Sequence, residues 1–166
     1  MNLVQVLKRC EVFVGLGDSA LEKIAHLPSW RRNIYTAGEF VFQEDAESND
    51  FYILEEGEVS LTVASHKEET KEVVQIPVDT ITTGDVFGWS ALVAPHSRTM
   101  SAICVKPSSI MSVRGADLVI LMDDDHSLGY EVMKGLVRVI GARLRSLPSS
   151  LAGKRKLPPK KEKRLE

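Results

Sequence analysis

A chain of 166 residues that is 43% hydrophobic and 27% charged can bury one core and leaves no room for two comfortable domains. Its apolar stretches fall far short of a membrane span, and the opening MNLVQVLKRCEVF lacks the uninterrupted apolar region of a secretory signal, so a soluble, cytoplasmic protein is expected. Net charge is −2, but the tail from Lys154 carries seven basic and two acidic residues, which leaves residues 1–153 at −7 and argues against a nucleic-acid-binding face there.

Residues 2–10 read as a short helix with Leu3, Val6 and Leu7 on one side. A second helix is expected from Ser19, where Ser19 and Glu22 have capping-box spacing and Leu21, Ile24 and Ala25 follow as the apolar face, with Pro28 ending it. From Trp30 to Val113 the pattern changes to short apolar runs: RRNIY, EFVFQ, FYILEE, EVSLTVA, EVVQIP, SAICV and SIMSV. In EVSLTVA the apolar Val59, Leu61 and Val63 alternate with Ser60 and Thr62, which predicts a strand with one buried face. Gly38, Gly57 and Gly84 punctuate the runs where tight turns or positive φ are needed. Several short strands with regular turns predict a mainly β fold with flanking helices, a sandwich or jelly roll. The span SHKEET at 65–70 reads as a charged hairpin tip. Cys10 and Cys104, far apart and among apolar neighbours, read as buried thiols rather than a disulfide.

The stretch from Gly84 to Ala102, GDVFGWSALVAPHSRTMSA, is the chemically informative one. Gly88 permits close backbone approach, the short helix start offers backbone N–H groups, Ser90 adds a hydroxyl, and Arg98 brings a guanidinium fork suited to phosphate oxygens. His96, two residues before Arg98, is a loop histidine within reach of the same anion.

Helical character returns at 116–122, and Asp123, Asp124 and Asp125 then precede a long helix over 127–147, whose exposed N–H groups they are placed to cap rather than to bind a metal. That helix carries two apolar stripes. Tyr130, Met133, Val137, Ile140, Leu144 and Leu147 follow alternating steps of three and four, and Leu128, Val132, Leu136 and Val139 lie beside them. Glu131, Lys134, Arg138 and Arg145 share the polar side. One stripe is expected to pack on the β-domain and the other to pair with a second copy, making a homodimer through residues 130–147. The expected layout is a folded unit over 1–147 and a basic, disordered tail over 148–166, with no helix-turn-helix. No nucleophile motif appears, and His26, His66, His96 and His126 stand singly, so neither catalysis nor a metal site is expected and no cofactor is called for.

The Gly84–Ala102 segment resembles the phosphate-binding cassette of cyclic-nucleotide-binding domains, the superfamily of the catabolite activator protein, protein kinase regulatory subunits and cyclic-nucleotide-gated channels. Phe87 and Gly88 match its Phe-Gly, Ala91 and Leu92 its small apolar run, and Arg98, Thr99, Ser101 and Ala102 its end. TAGEFVF, FYILEEGEV and TTGDVFG extend the likeness over nearly the whole chain, and Asp45 stands where the family has a glycine. The resemblance implies a double-stranded β-helix (jelly roll) followed by a long C-terminal helix that pairs subunits. It further implies a ligand, cyclic AMP or cyclic GMP, bound by Phe87, Gly88, Trp89, Ser90, Ala91, Arg98 and Thr99, with Thr99 bringing cyclic GMP into consideration. Trp89 departs from the pattern, occupying the place of the family glutamate that accepts from the ribose 2′-hydroxyl. Indole donates but does not accept, so Trp89 either stacks on a ligand or fills the ribose space as core. Two functions follow: a sensor whose ligand shifts the C-terminal helix, and a ligand-silent dimeric module that engages an unidentified protein partner, with its basic tail as a candidate contact.

Overall fold

The computed structural model describes residues 2–66 and 72–146. Two short helices, α1 (Leu3–Arg9) and α2 (Asp18–Ala25), lead into strands β1 (Arg31–Tyr35), β2 (Phe40–Phe42), β3 (Asp50–His66), β4 (Val73–Ile81) and β5 (Val86–Phe87). A single 3-10 turn (Trp89–Leu92), strand β6 (Ser101–Arg114) and helices α3 (Gly115–Asp124) and α4 (His126–Ser146) complete the described chain. All pairings are antiparallel, in the order β1-β6-β3-β4, with β2 also on β6 and β5 on β3. The result is a mainly β roll with flanking helices, as the run of short apolar segments predicts. No helix among the described residues is long and apolar enough to cross a membrane.

The strands are fewer and longer than the sequence suggests. FYILEE and EVSLTVA are one strand, β3, and SAICV and SIMSV are one strand, β6. Gly57 bends β3 without ending it: at φ +111 it faces Ser108 so closely that a Cβ would sit 2.3 Å from the hydroxyl oxygen. The β3–β6 register shifts cluster on both sides of that glycine. The alternation in EVSLTVA also fails at one position, since Thr62 is buried beside a bulge and donates from its hydroxyl to Gln75 at 2.6 Å.

Because β3 is buried on both faces, its FYIL run serves two cores. Phe51 and Ile53 join Phe13, Val113, Leu118 and the helices in one cluster, whereas Tyr52 and Leu54 point into the roll with Val59, Ile81, Phe87 and Ile110. Cys10 and Cys104 are free and buried, and desolvation pushes the Cys10 thiol up to about 12.

Helix α2 starts two residues earlier than the Ser19–Glu22 spacing predicts. Gly17 is its N-cap and no side chain caps it, while Asp18 supplies the negative charge of the first turn. Asp125 does cap α4, accepting from the Leu128 amide at 3.0 Å, and Lys23 donates to its other oxygen at 2.7 Å. That hydrogen bond from Lys23, with those from the backbone, holds the Asp125 carboxyl below the usual range. Along α4, Leu128, Val132, Leu136 and Val139 are buried against the domain, while Tyr130, Val137 and Leu144 stand about two-thirds exposed. Met133 is also exposed, whereas Ile140 partly packs on the domain's own core. Leu147, most of the SHKEET tip and the basic tail lie outside the described residues.

Candidate functional site

The 3-10 turn and the loop after it are fastened to the segment between β2 and β3. Asp45 donates its amide to the Arg98 carbonyl, Arg98 to the Ala46 carbonyl and Ser48 to the His96 carbonyl, at 2.9, 2.9 and 2.8 Å. Ser48 and Ser90 share a hydroxyl contact of 2.7 Å. Asp45, where the sequence departs from glycine, takes the glycine conformation at φ +63, so the turn is kept.

These two segments, with Phe42 of β2 and Leu61 of β3, line a cavity of about 550 Å³ that is open to solvent on one side. Gly88, Trp89, Ser90, Arg98 and Thr99 line it. Phe87 and Ala91 do not. Phe87 stacks on Tyr52 at 5.1 Å inside the roll, and Ala91 is buried under the start of α3, its amide donated to the Gly88 carbonyl. His96 sits outside the lining, in the left-handed region at φ +55 after the cis Ala94–Pro95 bond.

Arg98 is the centre of the arrangement. Only 3% of it is exposed, and its guanidinium lies 4.1 Å from the Phe42 ring centroid and 5.3 Å from that of Tyr52. Nη1 donates to the Gly88 carbonyl at 2.9 Å and Nη2 to the Asp50 carbonyl at 2.7 Å, while Nε has no partner. Among the described residues no carboxylate pairs with it; the Asp50 carboxylate is taken by Arg31 at 2.9 Å. Desolvation accordingly pulls the Arg98 pKa below the usual arginine value. Gly88 makes room for this cation: its φ is +73, and a Cβ there would stand 2.6 Å from Nη1 and 2.7 Å from the Tyr52 ring. Its carbonyl, rather than its amide, meets the guanidinium.

The profile of the family described as "Cyclic nucleotide-binding domain" matches residues 32–125, more than half of the chain and the whole of the roll. The chain belongs to this family. A curated relative, the cGMP-dependent protein kinase isozyme 1 of Drosophila melanogaster, is 27% identical over 109 residues, which is 64% of this chain and 13% of the kinase. The chain thus corresponds to a small part of such relatives. A solved structure from Geobacter metallireducens GS-15, described as a cyclic nucleotide-binding protein, is 26% identical with a TM-score of 0.70, over 87% of this chain and 99% of that one. The Thermus thermophilus catabolite activator protein, at 20% identity, shares the fold with a TM-score of 0.62 over 81% of this chain and 58% of its own.

In this cyclic nucleotide-binding domain the departure at Trp89 has a structural use. The indole is half-buried, packs against the helical core and lies 5.0 Å below the Arg143 guanidinium of α4. Arg143 in turn donates to Glu11 at 2.9 Å and approaches Asp79 of β4 at 3.7 Å. Burial raises the Glu11 carboxyl above its usual value even against this cation. Trp89 therefore touches both the cavity and the last turns of α4. The sequence reading missed Phe42, Glu44, Asp45 and Leu61 on the cavity wall, and the carbonyl of Asp50 that holds Arg98. The alternation of Val59, Leu61 and Val63 is the one signal in the sequence, and it places Leu61 on an inner face; the rest depend on how the sheet rolls.

Proposed function

We propose that the chain is a non-catalytic sensor domain whose cavity takes a small anionic ligand, a 3′,5′-cyclic nucleotide such as cyclic AMP or cyclic GMP. The observation that carries this reading is the buried Arg98, a cation at a cavity wall with an unpaired Nε and no counter-ion among the described residues. A charge removed from water without a partner is costly, and neutral carbonyls stabilise it only in part, so an anion beside Ser90 and Thr99 is the natural complement. The volume is that of an ordinary small-ligand pocket. The name of the Drosophila kinase supports the same ligand class. Occupancy is passed on through Trp89 to Arg143 and α4, and from there to a protein partner. The exposed stripe of Tyr130, Met133, Val137 and Leu144 pairs two copies of the helix, with Leu147 continuing the repeat. Direct DNA contact is no part of this reading, because residues 1–153 carry a net charge of −7.

Calorimetric titration with cyclic AMP and cyclic GMP tests it. Arg98→Ala is expected to weaken binding by about 2–3 kcal/mol, the range of a lost charge-assisted contact. Unchanged affinity removes Arg98 from the site. A second reading, the ligand-silent module, is favoured by one observation: both Nη atoms of Arg98 already donate to carbonyls, and Trp89 offers no acceptor to a ribose. Folded protein that gives no heat with either nucleotide at high micromolar concentration selects it.

A further inference from the structure

The cavity wall carries two groups of opposite charge, Arg98 and Glu44, and the second says which ligand suits the first. Arg98 is tied to the start of β3 through the Asp50 carbonyl. Glu44, also on the cavity wall, is tied to the far end of the same strand: one carboxylate oxygen accepts the Ala64 amide at 2.9 Å, and its own amide donates to Ser101 at 2.9 Å. Phe42 and Leu61 supply apolar wall to the same cavity. Glu44 makes no ion pair with any described residue, and its second oxygen has no hydrogen-bond partner among them.

Glu44 is half-buried, and an ionised carboxylate only accepts, so a ligand that reaches its free oxygen must bring hydrogen-bond donors to it. The apolar wall fits a flat ring, and the ring's edge must then present N–H groups. Guanine offers two adjacent donors, N1–H and the 2-amino group, which match a carboxylate in a bidentate pair. Adenine offers its 6-amino group beside N1, an acceptor that faces the carboxylate with like polarity.

We infer that Glu44 is a base-selecting residue that favours a guanine cyclic nucleotide over its adenine counterpart. This rests on the cyclic-nucleotide reading above and adds the identity of the base. The test is calorimetric titration of the full chain with cyclic GMP, cyclic AMP and cyclic IMP, whose base keeps N1–H and lacks the 2-amino group. Wild type is expected to bind cyclic GMP about tenfold more tightly than cyclic AMP, with cyclic IMP between them. Glu44→Gln keeps an oxygen for the Ala64 amide but places a donor next to an acceptor, the complement of the adenine edge. It should bring the preference to parity or invert it, at an unchanged melting temperature. If wild type and Glu44→Gln bind with the same base preference, Glu44 is not the selector and this inference alone falls. Absence of binding by all three nucleotides to folded wild type overturns the cyclic-nucleotide reading and this inference with it.

Discussion

Gly88 shows how much of this site is decided by one missing side chain. The residue holds φ at +73 and leaves a space that Nη1 of Arg98 and the Tyr52 ring occupy. Gly88→Ala combines left-handed strain with a Cβ placed against both groups, so a loss of about 1–3 kcal/mol of stability is expected by thermal denaturation. Ligand binding should fall as well, because the guanidinium must shift. The glycine turn at Gly88 and the placement of Arg98 beside it were both legible in the sequence, since glycine and arginine at that spacing carry a recognisable chemistry. The direction of the contact was not. Whether a glycine turns its amide or its carbonyl toward a cation is a matter of ψ, and no residue identity encodes it there.

At the scale of elements, Trp89 and Arg143 join the 3-10 turn to α4. An indole under a guanidinium at 5.0 Å contributes about 0.5–2 kcal/mol, and the Glu11 and Asp79 contacts add to the hold on the helix end. Arg143→Ala should loosen the last turns of α4 while leaving Leu128, Val132 and Leu136 packed. Amide hydrogen exchange would then rise at residues 140–146 and stay low at 126–136; equal protection throughout would show that Arg143 does not anchor the helix. The sequence disclosed that α4 is a helix with two stripes, because periodicity is local. It assigned Arg143 no role, because its partners Glu11 and Asp79 are 132 and 64 positions away and only tertiary packing brings them together. For the same reason the sequence predicts strand ends at Gly57 and after Val105 where β3 and β6 run on: a glycine or a Lys-Pro step ends a strand or bends one, and the paired strand decides which.

For the whole molecule, the division of labour along α4 predicts an assembly. One stripe is consumed by the domain, and the other leaves Tyr130, Met133, Val137 and Leu144 facing outward at coiled-coil spacing. Light scattering should return twice the chain mass for wild type and the single-chain mass for Val137→Glu, whose new charge lies at the centre of the stripe. Val137 is the better site than Ile140, which also serves the domain's core. A wild-type mass of one chain would assign the stripe another role. The jelly-roll architecture itself was readable almost throughout, since apolar runs, turn glycines and the family-like segments agree over most of the chain.

The long β3 strand has a consequence for tuning. Its Asp50 end braces the guanidinium and its Ala64 end braces Glu44, so a single hydrogen-bonded ribbon holds both charged groups of the cavity wall. Re-registering β3 against β6 would shift both groups and also the β3 and β6 residues that face the two cores, which ties the charged groups of the cavity to the scaffold.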